Sequence, residues 1–345
     1  MVAGAIHSLS HDDEHGEERR VIARRAFRFG VLAESVRTRG ELLETARQAE
    51  ALGYDTLLLR DHFIAEPFGH QLAPIAALTA VACATSTLRV GSLVLANDYR
   101  HPALLAKEAA TIDLLSEGRF ELGLGAGFSQ AEYAAAGMPF ERGGRRIERL
   151  EEAVTVLRAL FSGERFSFSG RHYQIDGLQS FPVPKQRPHP PLLLAGGGRR
   201  ILSLAARQAD IVGLLSVSTA SGAVIQDPAE RLAATMERKI GWIREAAGAR
   251  FPALELSSTI HPLVTDQPRA TAADLVRGYD WQAITPDDVL AMPSLAIGSI
   301  DGIVEQLRER RERFGLSYYV VSDSNLRELA PIVARLAGVA QPVAA

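Results

Sequence analysis

Short apolar runs alternate with helix-period segments along almost the whole chain, which restricts the fold to a parallel α/β architecture. Phe27 to Ala33 is the first apolar run. Leu42, Leu43, Ala46, Ala49 and Leu52 then recur at helical spacing and stop at Gly53. Further strands are predicted at 55–59, 88–95, 120–124, 192–195, 210–215, 255–261 and 317–321. Between them lie an Ala-rich helix over about 72–84 and a helix opened by Pro102, since proline suits a first turn. After a long loop comes a helix with one face formed by Ile147, Leu150, Val154, Leu157 and Phe161. Another helix follows the glycines at 196–198, and another covers about 229–246. The last two carry faces of Ile300, Ile303, Val304, Leu307 and Phe314, and of Leu326, Leu329, Ile332, Val333 and Leu336.

The predicted strands are apolar without alternation, as in strands buried on both faces. This pattern predicts a closed (β/α)8 TIM barrel, with a doubly wound open sheet as the alternative. At 345 residues the chain exceeds the roughly 250 typical of such barrels, so insertions are expected at about 164–190 and 265–293, the latter polar. The expected organisation is a mobile tail over 1–26, one barrel domain over 27–338 and a short tail over 339–345. His11, Asp12 and His15 fall in the first tail, where nothing fixes the geometry a metal needs.

Composition excludes several classes. The net charge of −3, without a basic stripe carrying interleaved aromatics, argues against nucleic acid. No run of about 18 apolar residues and no signal-peptide pattern is found, so neither a membrane span nor secretion is expected. The single cysteine, Cys83, lies in the apolar stretch 78–84 and reads as a core thiol. One cysteine forms no internal disulfide, which fits a cytoplasmic protein. Hydrolase and zinc signatures (G-x-S-x-G, H-E-x-x-H, C-x-x-C) are absent.

In a barrel of this kind, chemistry gathers at the C-terminal ends of the strands. Asp61-His62 follows the second strand, where an imidazole suits proton transfer and Asp61 would orient it or bind nearby backbone; a loop histidine that only packs is the alternative. Gly123-Leu-Gly125-Ala126-Gly127-Phe128 has the wrong spacing for a dinucleotide fingerprint. Its glycines admit close approach of a flat ring or a neighbouring loop, or simply a tight turn. Ala195-Gly196-Gly197-Gly198-Arg199 joins a strand to a helix, where free N–H groups and arginine favour an anion over a merely permissive turn. Asn97 could hydrogen-bond a ring atom or serve only the turn around it. His172, His189 and His261 lack partner patterns and read as structural.

Together these residues resemble the bacterial luciferase-like monooxygenase superfamily, and within it the branch that uses the deazaflavin coenzyme F420. The resemblance runs from about Phe27 to Leu336. It is most specific in HPALLAKEAATIDLLSEGRFELGLGAG (101–127) and continues through Phe128, Glu132-Tyr133 and Gly137. It recurs in AGGG (195–198), AARQADIV (205–212) and GSIDGIVEQL (298–307). The resemblance implies a barrel, often a homodimer, with FMN or F420 lying across the strand ends. It implies His62 and Asp61 beside the reactive ring and a non-proline cis peptide at Leu93-Val94. It also implies that the 125–127 backbone lies beside the ring and 196–198 under the phosphate, and a large aromatic at Phe128 could pack on the ring or shape an apolar substrate pocket. In the F420-dependent sugar-phosphate dehydrogenases of this superfamily an acid follows the glycine loop; here Phe128 or Ser129 stands there, which argues against sugar-phosphate chemistry.

The expected function is an F420-dependent oxidoreductase, acting as an F420H2-dependent reductase on an unsaturated organic substrate, with a separate enzyme supplying reduced cofactor. An FMN-dependent monooxygenase using reduced flavin and oxygen is the alternative, and a non-catalytic flavin-binding barrel is the third reading.

Overall fold

A computed structural model of the chain describes residues 25–219 and 227–338. The tails expected at 1–26 and 339–345, with His11, Asp12 and His15, therefore lie outside the described residues, save for Arg25 and Ala26.

The apolar runs form parallel strands, and the strands close into a ring. Barrel strands are β1 (Arg28–Leu32), β2 (Thr56–Leu59), β3 (Arg89–Ser92, continued by Leu95–Ala96), β4 (Phe120–Gly125), β5 (Leu192–Gly196), β6 (Ile211–Leu214), β7 (Glu255–Thr259) and β8 (Leu316–Ser322). β8 pairs with β1, and β3 pairs with β4 to complete the closure. Each strand is followed by its helix: α1 (Arg39–Ala51), α2 (Pro74–Ala84), α3 (Pro102–Leu115), α4 (Gly143–Phe161), α5 (Arg199–Gln208), α6 (Ala233–Ala247), α7 (Ile300–Phe314) and α8 (Leu326–Leu336). Local chemistry sets several ends. Thr38 and Glu41 form a capping box on α1, prolines open α2 and α3, and Gly315 ends α7 in the left-handed conformation.

The apolar run at 88–95 is not one continuous strand. Gly91 pairs with Glu121 and Leu95 with Leu124, so four steps along β3 match three along β4. The extra residue makes a bulge, and the Leu93-Val94 peptide within it is cis, at the position the resemblance implied.

Low in the barrel, Arg28 reaches Asp55 and Glu121, and its Nη1 lies 2.6 Å from Glu255. Its guanidinium also lies 4.3 Å from the centre of the Tyr318 ring. Burial works against the Arg28 charge, but the surrounding carboxylates outweigh it and hold its pKa above the ordinary value. Burial leaves the Glu255 carboxyl above its usual range.

Both insertions have their own structure. Residues 165–179 form an antiparallel hairpin, Arg165–Ser169 against Gln174–Gln179. The 265–293 segment, read as polar, instead holds two short helices, Pro268–Gly278 and Pro286–Ala291, around a small core of Ala272, Val289 and Met292. β7 stops at Thr259, and His261–Val264 pairs separately with Leu295–Gly298 beside this unit. The loop after β4 contains one further helix, Gln130–Ala135.

Cys83 corrects the sequence reading: it is exposed. On α2 the buried face is Ala77, Leu78, Val81 and Ala82, and Cys83 lies outside it. Nearly every residue there is small or apolar, so the pattern could not separate the two faces. No helix among the described residues is long and apolar enough to cross a membrane.

Candidate active site

The strand ends surround a cavity of about 560 Å³, within the roughly 300–1,000 Å³ of small-molecule sites. It brings together Asp61 and His62 after β2, Leu93 and Val94 from the bulge, Gly125 to Phe128 after β4, and Ala195 to Gly198 after β5. Two expected residues do not line it. Asn97 is buried behind the wall, where its Nδ2 donates to the Tyr173 hydroxyl at 3.2 Å. Arg199 is largely exposed and pairs with Glu245 at 2.9 Å.

His62 is held by a residue far away in sequence. Its Nδ1 lies 3.0 and 3.1 Å from the two Glu132 carboxylate oxygens. The same carboxylate accepts the Phe63 N–H at 2.8 Å and the Tyr99 hydroxyl at 3.4 Å, and Glu132 is only 2% exposed. A carboxylate oxygen accepts, so Nδ1 donates to Glu132 and Nε2 is the ring nitrogen left for a substrate. Ser129 positions Glu132 by capping the short helix, its hydroxyl accepting the Glu132 N–H.

Asp61 takes the second of its two sequence readings. It accepts the Ala96 N–H at 3.2 Å and pairs with Arg100 at 2.5 Å, which ties the end of β2 to the end of β3. Two phenylalanines cover the imidazole. Phe68 stacks on it at 4.7 Å between ring centres, and Phe128 meets it edge-on at 5.8 Å. The Arg60 guanidinium lies 4.4 Å over the Phe68 ring and pairs with Glu34.

The glycines of the fourth strand end are explained by the chain's own atoms. A Cβ on Gly123 would lie 1.8 Å from the Ser92 carbonyl oxygen, and one on Gly125 would lie 2.6 Å from Val94 Cγ2. Gly127 has φ +71°, and a Cβ there would meet the Tyr133 hydroxyl at 2.1 Å. The bulge and Tyr133 therefore occupy the space that side chains would need.

The glycines after β5 divide. A Cβ on Gly196 would strike Ile201, and one on Gly197 would strike the Ser216 backbone. Gly198 has no atom within 4 Å of such a Cβ, and as the N-cap of α5 it offers no side-chain acceptor. The first N–H groups of α5 are thus left for an anion. Close by, the Lys239 ammonium donates to Leu215 O and Glu230, both at 2.9 Å.

Glu132 and Lys239 were not among the expected site residues. No spacing rule links residue 62 to residue 132. Lys239 did leave a trace, since it sits with Thr235 and Ile243 on the buried face of α6, where a lysine is out of place.

A sequence model of the luciferase-like monooxygenases matches residues 25–318. An F420-dependent glucose-6-phosphate dehydrogenase of Kineococcus radiotolerans is 35% identical over 176 residues, covering 50% of this chain and 51% of the relative. An F420-dependent hydroxymycolic acid dehydrogenase of Mycobacterium tuberculosis is 35% identical over 174 residues, covering 49% and 47%. The chain spans about half the length of the curated relatives it matches. Among solved structures, an F420-dependent secondary alcohol dehydrogenase bound to an F420–acetone adduct superposes with TM-score 0.68 at 19% identity, covering 90% of this chain and 98% of the other. A long-chain alkane monooxygenase superposes with TM-score 0.70 at 14% identity, covering 90% and 91%. At these identities the structures share the fold.

Proposed function

The chain belongs to the luciferase-like monooxygenase family, and we propose that it is a coenzyme F420-dependent oxidoreductase that moves a hydride between the deazaflavin and a small organic substrate. The observation that carries the reading is His62, held through Nδ1 by Glu132 at a cavity that also contains the open N-terminus of α5. The F420-dependent relatives support the same cofactor.

The residues present fit that group. The N–H groups of α5 at Gly198 suit its phosphate, and the bulge with Gly125 and Ala126 gives a largely apolar wall for a flat ring. Bound F420 supplies a ring carbon that takes up or gives back a hydride. His62 moves the accompanying proton at Nε2. It accepts the proton from a substrate hydroxyl in oxidation and returns it to the substrate in reduction. Glu132 fixes the ring and its tautomer, while Phe68 and Phe128 shield it from water.

The same proposal includes a homodimer, a cytoplasmic location suited to the exposed Cys83 thiol, and a separate enzyme that restores the reduced cofactor. The test compares His62→Ala with the wild type. The variant keeps its affinity for F420 and loses about 10²-fold or more in turnover. Undiminished turnover overturns the role given to His62, and failure of the wild type to bind F420 overturns the function.

A further inference from the structure

We propose that the substrate is uncharged around its reacting carbon: an apolar alcohol, or the corresponding ketone or enone, with no carboxylate or phosphate within reach of His62. This rests on the oxidoreductase reading above and adds the substrate class to it.

The wall about the imidazole is aromatic. Phe68 covers one face, Phe128 meets the edge, and the two phenylalanines touch each other at 6.1 Å between ring centres. A substrate that offers its oxygen to Nε2 therefore lays its neighbouring carbons against two phenyl rings, which favours apolar groups.

The charges of the cavity agree. Its lining cations, among the described residues, are Arg60, Arg146, Arg231 and Lys239. Arg60 is paired with Glu34 and lies flat over Phe68. Arg146 donates to the carbonyls of Gly127 and Glu141 and lies 4.0 Å over Phe140. Lys239 is held by Glu230 and Leu215 O. Arg231 belongs to the turn Pro228–Arg231, which Glu230 ties to Val217, next to the Ser216 backbone that Gly197 touches. That is the end given to the cofactor phosphate. An anion beside His62 would thus lose its water, meet cations already engaged by Glu34, by backbone carbonyls and by Glu230, and face the Glu132 carboxylate.

The test uses the full chain loaded with F420 for the alcohols and with F420H2, which supplies the hydride, for the enone. The probes are cyclohexanol and cyclohexenone, set against hydroxycyclohexanecarboxylate and glucose 6-phosphate. Each is followed by turnover and by the thermal shift it gives the loaded protein. The expected result is a preference of more than about tenfold in kcat/KM for the neutral probes, with thermal protection by them alone. Phe128→Lys places a cation beside His62 and is expected to move the ratio of carboxylate to neutral binding upward. Neutral probes that neither bind nor turn over, or charged probes that do as well, overturn the substrate class while leaving F420 binding and the oxidoreductase reading in place. A wild-type chain that does not bind F420 overturns both.

Discussion

Glu132, not the adjacent Asp61, holds His62: its carboxylate lies 3.0 Å from Nδ1, across seventy residues of sequence and from the loop after β4, two strands round the barrel. The expected consequence is that Glu132→Gln keeps F420 affinity but lowers turnover by about 10²- to 10⁴-fold, the span of what a positioned acid–base group contributes. Nitrogen NMR of the apo protein checks the cause. It shows His62 with hydrogen on Nδ1 in the wild type and a mixture of tautomers in the variant. Glu132→Asp restores part of the activity. An unchanged tautomer together with lost activity would count against the positioning role.

The glycines make a paired prediction. Gly123→Ala forces a methyl to within 1.8 Å of a backbone carbonyl, so the strands must move apart; a loss of about 3 kcal/mol or more is expected in denaturant unfolding. Gly198→Ala puts its methyl into open space, so stability stays within about 0.5 kcal/mol of the wild type. F420 affinity nonetheless falls at least about tenfold, because the methyl enters the anion cradle. Equal stability losses in the two variants would contradict this division.

Arg28 is the hinge of the ionic cluster inside the barrel. Arg28→Met leaves Glu255 buried without its ion-pair partner and Glu121 with Arg89 alone, with an expected cost of about 3–5 kcal/mol in chemical unfolding. Adding Glu121→Gln and Glu255→Gln recovers part of that loss, since the penalty is the stranded charge.

What could be read in the sequence follows from what is local. The barrel strands are short apolar runs and their helices have one apolar face, so the alternation alone placed β1, β2, β4 and α3 close to where they lie. The cis peptide at Leu93-Val94 came from motif resemblance, while Gly123, Gly125 and Gly127 were legible as places of close approach, and the structure shows what approaches: the β3 bulge and Tyr133. The 265–293 unit escaped because Ala272, Val289 and Met292 are few and scattered among polar residues, and they meet only once the chain has folded back. The partnership of His62 with Glu132 escaped for the same reason: it depends on two loops that the barrel brings together.

Stability at acid pH has an identifiable contributor in Glu50. Burial alone would raise its carboxyl, but the N–H groups of Thr87, Leu88 and Ser86 bring it down to about 2, from an ordinary 4.5. A carboxyl lowered on folding contributes stability that is present above about pH 4.5 and is lost as pH falls toward 2. Glu50→Gln therefore unfolds more easily at neutral pH and shows a shallower loss of stability between these two values. Parallel stability curves for the two proteins would refute the assignment.

The central claim is the cofactor. Titration of the purified chain with F420 and separately with FMN, followed by the fluorescence of Trp242 and Trp281, tests it most directly. Saturable quenching by F420, with much weaker binding of FMN, is the predicted result. Tight binding of FMN with none of F420 would contradict it and return the chain to the oxygen-using side of its family.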